Sequence, residues 1–182
     1  YYHASGEENF VTVWGKLFCK KLFSDLRFRT GICFEDIHLM PYWLLQSEKV
    51  VLIPYAGYNY TQNENSIMHK TDEAHSTRLY KNAFVIWQEH LELYKQRGLE
   101  DFENAVYCSI VNKVIAHSLA ESIPNEMVRE SLVLAHRYTK KLVWHTALPV
   151  KQKLYFALFS ILGPKYFRSF MRMRSAHRSE SD

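Results

Sequence analysis

The chain has 182 residues, of which 47% are hydrophobic, 15% aromatic and 23% charged. These values are typical of a globular protein with its own core, and they exclude a disordered chain, a collagen-like repeat and a disulfide scaffold. The net charge of +4 is concentrated at one end, because seven Lys and Arg residues and no Asp or Glu fall between Lys151 and Arg178. A basic, apolar-rich tail favours an anionic partner, either a membrane or a nucleic acid.

The first seventy residues predict a small mixed α/β region. Residues 11–18 read as a short helix or strand, and residues 35–47 as a helix that Pro41 kinks or shortens. Residues 49–60 are rich in β-branched and aromatic side chains, interrupted by Pro54 and Gly57. They predict two short strands or one bulged strand.

The rest of the chain predicts helices by the three- and four-residue spacing of its apolar side chains. The predicted helices are residues 71–97, 99–122, 125–145 and 149–162. Thr71-Asp72-Glu73 is a candidate cap for the first of them and Gly98 its stop, and Gly163-Pro164 ends the last.

We therefore predict a predominantly helical α+β fold. Its front part, residues 1–70, contains the short strands, and a helical part follows, residues 71–182, with the basic tail. The chain has no run of about 18 uncharged apolar residues, so no transmembrane helix is expected.

Two acidic residues, Glu35 and Asp36, open the helix predicted at residue 35. Carboxylates at a helix N-terminus are favoured by the helix dipole, by about 0.3–1 kcal/mol. The pair could therefore cap the helix, or one carboxylate could act as a general base. Composition alone does not separate these readings.

Trp14 and Lys16 form a second candidate group. An indole ring can stack on a sugar face, and an ammonium group can meet a phosphate, although a core Trp beside a surface Lys would look the same. A third candidate is the polar loop that contains Ser66 and His69, which could contact a diphosphate or a metal ion, or be an ordinary surface loop.

The nine histidines do not predict a metal site. None makes a convincing His-x-x-x-His or Glu-x-x-His pair, and Glu89-His90 has no second ligand at helical spacing. The three cysteines are scattered and contain no Cys-x-x-Cys pair, which favours a reducing compartment and argues against structural zinc.

Taken in order, these segments resemble a known family. Residues 13–23 resemble the Trp-Asn-Lys-Leu-Tyr segment of bacterial family 2 (inverting, GT-A) glycosyltransferases. Residues 26–36 resemble that family's acceptor-side motif, which ends in Glu-Asp, and residues 49–60 and 65–67 resemble the strand and loop that follow it. The resemblance covers residues 11 to about 69. It departs from the family at Gly15, where Asn is usual, and at Thr61, where a cation is usual.

The resemblance implies a role for each candidate residue. Asp36 would be the general base, and Glu35 would position the loop or the acceptor. Trp14 and Lys16 would line the acceptor side. Ser66 and His69 would lie on the side of the donor's diphosphate.

The resemblance also implies which part of such an enzyme this chain represents and which part it lacks. It makes residues 1–70 the acceptor-side remainder of a GT-A catalytic domain and residues 71–182 a helical C-terminal extension. The nucleotide-binding half and its Asp-x-Asp motif, which holds a divalent cation (Mg or Mn), would precede residue 1, so the chain alone would be inactive. The expected partners are a nucleotide-sugar donor and a saccharide or lipid-linked acceptor in cell-surface polysaccharide biosynthesis.

The expected location is the cytoplasm, with peripheral contact to the inner face of the plasma membrane through residues 151–178. We expect no nucleic-acid partner, because the cations are not interleaved with aromatics in a known motif. The alternative functions are a non-catalytic helical module that binds an anionic membrane or nucleic acid, and a partner subunit.

Overall fold

The computed structural model describes residues 11–55, 57–59, 61, 72–119, 125–144 and 148–179. Over these residues the regular elements are helical. They are a 3₁₀ helix, Lys20–Phe23, and five α-helices: α1 Glu35–Gln46, α2 Glu73–Gln96, α3 Glu100–Leu119, α4 Asn125–Leu142 and α5 Val150–Ser179.

The prediction of an α+β fold with short strands is wrong for the residues described, and with it the prediction of a GT-A α/β remainder. Residues 49–55 and 57–59 form no strand, and the side chains of Val50, Val51, Leu52 and Ile53 are exposed. The backbone there makes a hydrogen bond between near neighbours, in which the amide of Tyr55 donates to the carbonyl of Ile53. High β propensity produces a strand only where a second strand accepts the backbone hydrogen bonds. The expectation of a predominantly helical chain fits.

The chain forms two compact units, Tyr1–Glu92 and Leu93–Asp182. The core of the first unit surrounds Trp43 of α1, which is 1% exposed. Its indole Nε1 donates to the carbonyl of Leu22 at 3.0 Å, and the rings of Phe18 and Phe23 lie 4.9 and 4.7 Å away. This packing ties α1 to the segment before it.

In the second unit, α4 packs against both α3 and α5. Val106, Ile110 and Val111 of α3 are fully buried, as are Phe156 and Phe159 of α5. None of the helices described is both long enough and apolar enough to span a bilayer.

The helix boundaries follow local chemistry. Asp72 caps α2, because its Oδ1 accepts the amide of His75 at 2.8 Å. Gly98, with φ of 64°, ends it, and the amide of Leu99 returns to the carbonyl of Tyr94, a Schellman-type end. Both signals were predicted. Helix α1 continues through Pro41 to Gln46, so the Pro does not restrict it to a short segment.

The sequence predicts that the last helix ends at Gly163-Pro164, but in the structure this point is a break inside α5. Gly163 has φ of 70° and ψ of 170°, which is not helical, and the chain then continues as helix to Ser179. The basic residues that follow Gly163-Pro164 therefore lie on a helix. The boundary predicted at residue 70 lies outside the described residues, and the roles assigned to the two parts remain predictions.

Candidate functional site

The first turn of α1 carries the two predicted carboxylates. Phe34 precedes the helix in the left-handed conformation, with φ of 65°, and gives no side-chain cap. The amide of Ile37 instead donates to Oδ1 of Asp36 at 2.8 Å. One oxygen of Asp36 therefore has a capping contact.

Burial raises the pKa of the Asp36 carboxyl, and the negative charge of exposed Glu35 adds to this rise. The amide of Ile37 and the cation of Lys16 oppose it in part. A half-buried carboxylate whose pKa lies above the ordinary range is a better proton acceptor than a solvated one. A raised pKa is thus one of the properties required of a general base.

Lys16 is the nearby cation. Its Nζ donates to the carbonyl of Thr12 at 2.6 Å. Burial lowers the pKa of its ammonium group, and the charge of Asp36 partly restores it. The charges of Lys16 and Asp36, twenty positions apart in the sequence, thus lie close enough in the fold to influence each other.

Trp14 lies against an aromatic side chain that the sequence did not single out as a site residue. Its ring stacks on the ring of Tyr58 with centroids 5.2 Å apart and planes 18° apart. Gly15 permits this turn, because its φ of 70° lies in the left-handed region that favours glycine. The tyrosine-rich composition of residues 55–60 is the signal in the sequence, but that composition predicts a strand.

Ser66 and His69 lie outside the described residues, so their predicted place on the diphosphate side stays a prediction.

A second polar cluster, which sequence reasoning missed, lies one turn further along α1. Nε2 of His38 donates to Glu89 of α2 at 2.8 Å, and Arg29 donates to the other oxygen of Glu89 at 2.7 Å. His90 is fully buried, and its Nε2 donates to the carbonyl of His38 at 2.9 Å. The adjacent Glu89 and His90 were visible in the sequence, but nothing there indicated their partners on α1.

The described residues contain no group of three or more His, Cys, Asp or Glu side chains placed to hold a metal ion. The cluster of His38, Glu89 and Arg29 includes a guanidinium group, which has no lone pair for a metal. We therefore assign no metal ligand to this part of the chain.

The chain is similar to Glycosyltransferase GlyA of Streptococcus pneumoniae serotype 4, with 33% identity over 96 residues. The match covers 47% of this chain and 14% of that protein. No protein-family model and no solved structure matches the chain. The similarity supports a relationship to glycosyltransferases as a broad class.

Proposed function

We propose that this chain contributes the acceptor side of an inverting, family 2-like glycosyltransferase, with Asp36 as its general base. The carboxylate of Asp36 carries this proposal, because it is half-buried, has a raised pKa and interacts with Lys16. The similarity to a glycosyltransferase supplies the class of reaction. The donor would be a nucleotide-sugar, and the acceptor a saccharide or lipid-linked saccharide of the cytoplasmic stage of cell-surface polysaccharide synthesis.

In this reaction Asp36 takes the proton of an acceptor hydroxyl. The oxygen then attacks the anomeric carbon of the sugar from the face opposite the nucleoside diphosphate, which leaves with the bonding electron pair. The configuration is inverted because bond formation and departure occur on opposite faces. A raised pKa favours proton transfer to Asp36 near neutral pH.

The surrounding residues orient the acceptor. Trp14 and Tyr58, stacked on each other, offer an aromatic surface for a sugar ring. The positive charge of Lys16 stabilises the ionised form of Asp36 before proton transfer, and exposed Glu35 positions the acceptor or its loop. Ser66 and His69 are proposed for the diphosphate side.

The divalent cation of such enzymes, Mg or Mn, neutralises the leaving diphosphate. We propose that its ligands and the donor-binding part lie elsewhere in a longer polypeptide, as the resemblance implies; the match covers 14% of the similar glycosyltransferase. On this proposal the 182-residue chain does not catalyse transfer alone.

The competing role for Asp36 is purely structural, since the amide of Ile37 already donates to its Oδ1. Asp36→Asn separates the roles, because an Asn side-chain oxygen can still accept that amide but cannot act as a base at neutral pH. The matched control is Asp25→Asn, at an exposed position in the loop before α1.

The test uses the longest natural polypeptide that contains this chain. We expect Asp36→Asn to lower the transfer rate by about 10²–10⁴-fold, while donor affinity by calorimetry and the unfolding midpoint stay close to those of wild type. Asp25→Asn should leave all three unchanged. Turnover at the wild-type rate in Asp36→Asn would disprove the assignment of the base.

A further inference from the structure

The first half of α5 has two unlike faces. Phe156 and Phe159 are fully buried, whereas Val150, Leu154 and Ile161 are 72, 66 and 81% exposed. Leu154 and Ile161 follow Val150 by four and eleven positions, close to one and three turns of an α-helix. The three aliphatic side chains therefore form one stripe, on the side of α5 opposite its two buried phenylalanines.

The sequence of α5 carries charge of one sign as far as Arg178. Residues 151–178 contain seven Lys and Arg and no Asp or Glu. Lys151, next to the stripe, is exposed. A long run of cations without acidic residues is complementary to a surface of fixed negative charge.

An exposed indole lies just before the helix. Trp144 is among the most exposed large side chains of the part of the chain that is described. Tryptophan is enriched at the boundary between lipid headgroups and acyl chains, because its ring is apolar and its N–H is polar. The aliphatic stripe, the cations and the indole thus occur within one stretch of about thirty-five residues.

From these observations we propose that α5 docks the protein in the plane of an anionic lipid bilayer. Val150, Leu154 and Ile161 enter the boundary between headgroups and acyl chains, and the cations remain at the lipid phosphates. The helix lies on the membrane and does not cross it, because none of the helices described meets the requirements of a span. This docking does not depend on the proposed glycosyl transfer, although together they favour a lipid-linked acceptor.

An anionic bilayer explains the observations better than a protein partner. The stripe consists of only three aliphatic side chains, a small area for a stable protein interface. Short amphipathic helices with cations beside the apolar face bind membranes through two contributions, the burial of apolar side chains and the attraction of the cations to anionic lipids. A second copy of this chain has the same positive charge on this helix, so the like charges would repel.

The experiment measures cosedimentation of the full polypeptide with phosphatidylcholine vesicles, with and without one-third phosphatidylglycerol. We expect binding to the anionic vesicles, and at least about tenfold weaker binding to neutral ones or at high salt. The double variant Leu154→Gln/Ile161→Gln should bind anionic vesicles about tenfold or more weakly than wild type. Glutamine keeps good helix propensity, so the helix is retained.

The matched control is Val133→Gln, at an exposed aliphatic position on α4, which should bind like wild type. Absence of binding to anionic vesicles, or equal binding by the double variant and wild type, would overturn the proposal. A concentration-dependent dimer in gel filtration that the double variant abolishes would instead assign the stripe to a second copy. Vesicle binding can fail while sugar transfer persists, so the two proposals are tested separately.

Discussion

Glu89 Oε2 accepts a hydrogen bond from Nε2 of His38 at 2.8 Å. This bond joins α2 to α1 at His38, which follows Asp36 by two residues. Its other oxygen accepts from Arg29, in the loop that leads into α1. One carboxylate therefore holds both the helix and the loop that approaches it. This limits how far the Glu35-Asp36 turn can move relative to α2.

The first prediction concerns the strength of this link. Glu89→Gln should lower the free energy of unfolding by about 1 kcal/mol, a modest loss because the Glu89 and Arg29 side chains are 36 and 48% exposed. A double-mutant cycle with His38→Gln, measured by urea unfolding, should give a coupling of about 0.5 kcal/mol or more. Strictly additive losses would show that the contact between the two side chains contributes nothing.

A second prediction follows from the raised pKa of Asp36. Because a protonated carboxyl cannot accept a proton, kcat/KM should fall as pH falls through this pKa, with a midpoint above the ordinary aspartate value of about 3.9. Lys16→Met removes a charge that lowers the pKa, so the midpoint should move to higher pH. Lys20→Met, at an exposed position on the 3₁₀ helix, is the control. A midpoint that moves down in Lys16→Met would contradict the assignment.

A third prediction, which depends on the proposed function, tests the aromatic surface. Tyr58→Ala removes the ring stacked on Trp14 and should raise the acceptor KM by up to about tenfold, whereas Tyr58→Phe keeps the ring and should stay near wild type. Tyr55→Ala is a matched control, since that side chain is also exposed. Equal acceptor KM values in Tyr58→Ala and Tyr55→Ala would remove Tyr58 from the site.

The fourth prediction concerns stability in acid. The pKa of His90 is lowered to about 4, mainly by burial. The hydrogen bond to the carbonyl of His38 and the charge of Glu89 act to raise it, and the charge of His38 acts to lower it. Between this value and the unfolded value near 6.5, the unfolded chain binds a proton that the folded chain does not. The free energy of unfolding therefore falls as pH falls through this window, by up to about 3 kcal/mol.

Urea unfolding at about pH 7 and about pH 4.5 measures this loss. His90→Gln keeps a donor for the carbonyl of His38 but does not titrate, so its stability should depend less on pH over the same interval. An identical pH dependence in the variant and wild type would show that His90 does not cause the loss. Asp36 titrates in both proteins and so cancels in the comparison.

The helices could be predicted from the sequence because their signals are local. The spacing of apolar residues, the cap at Asp72 and the stop at Gly98 all act within a few positions. The strand prediction for residues 49–60 failed because the signal for a strand is not local. A strand depends on a partner elsewhere in the chain, and a run such as Val50 to Ile53 has the same composition whether or not it is paired.

For the candidate site, the sequence and the resemblance supplied residues but not their contacts, and the roles of these residues stay predictions. Asp36, Lys16 and Trp14 were named from motifs. Their mutual placement, and the stacking of Tyr58 on Trp14, depend on turns that bring distant positions together. The contact between His38 and Glu89 spans 51 positions, and no local pattern encodes such a pair.

The left-handed backbone at Phe34 has a consequence for protein engineering. A residue with a side chain holds this conformation at a cost of about 1 kcal/mol or more relative to glycine. Phe34→Gly would relieve this strain, and the greater freedom of glycine in the unfolded chain would offset part of the gain in stability. The same change would broaden the range of backbone angles just ahead of Glu35 and Asp36, so relief of strain at this position would loosen the first turn of α1, which holds both carboxylates.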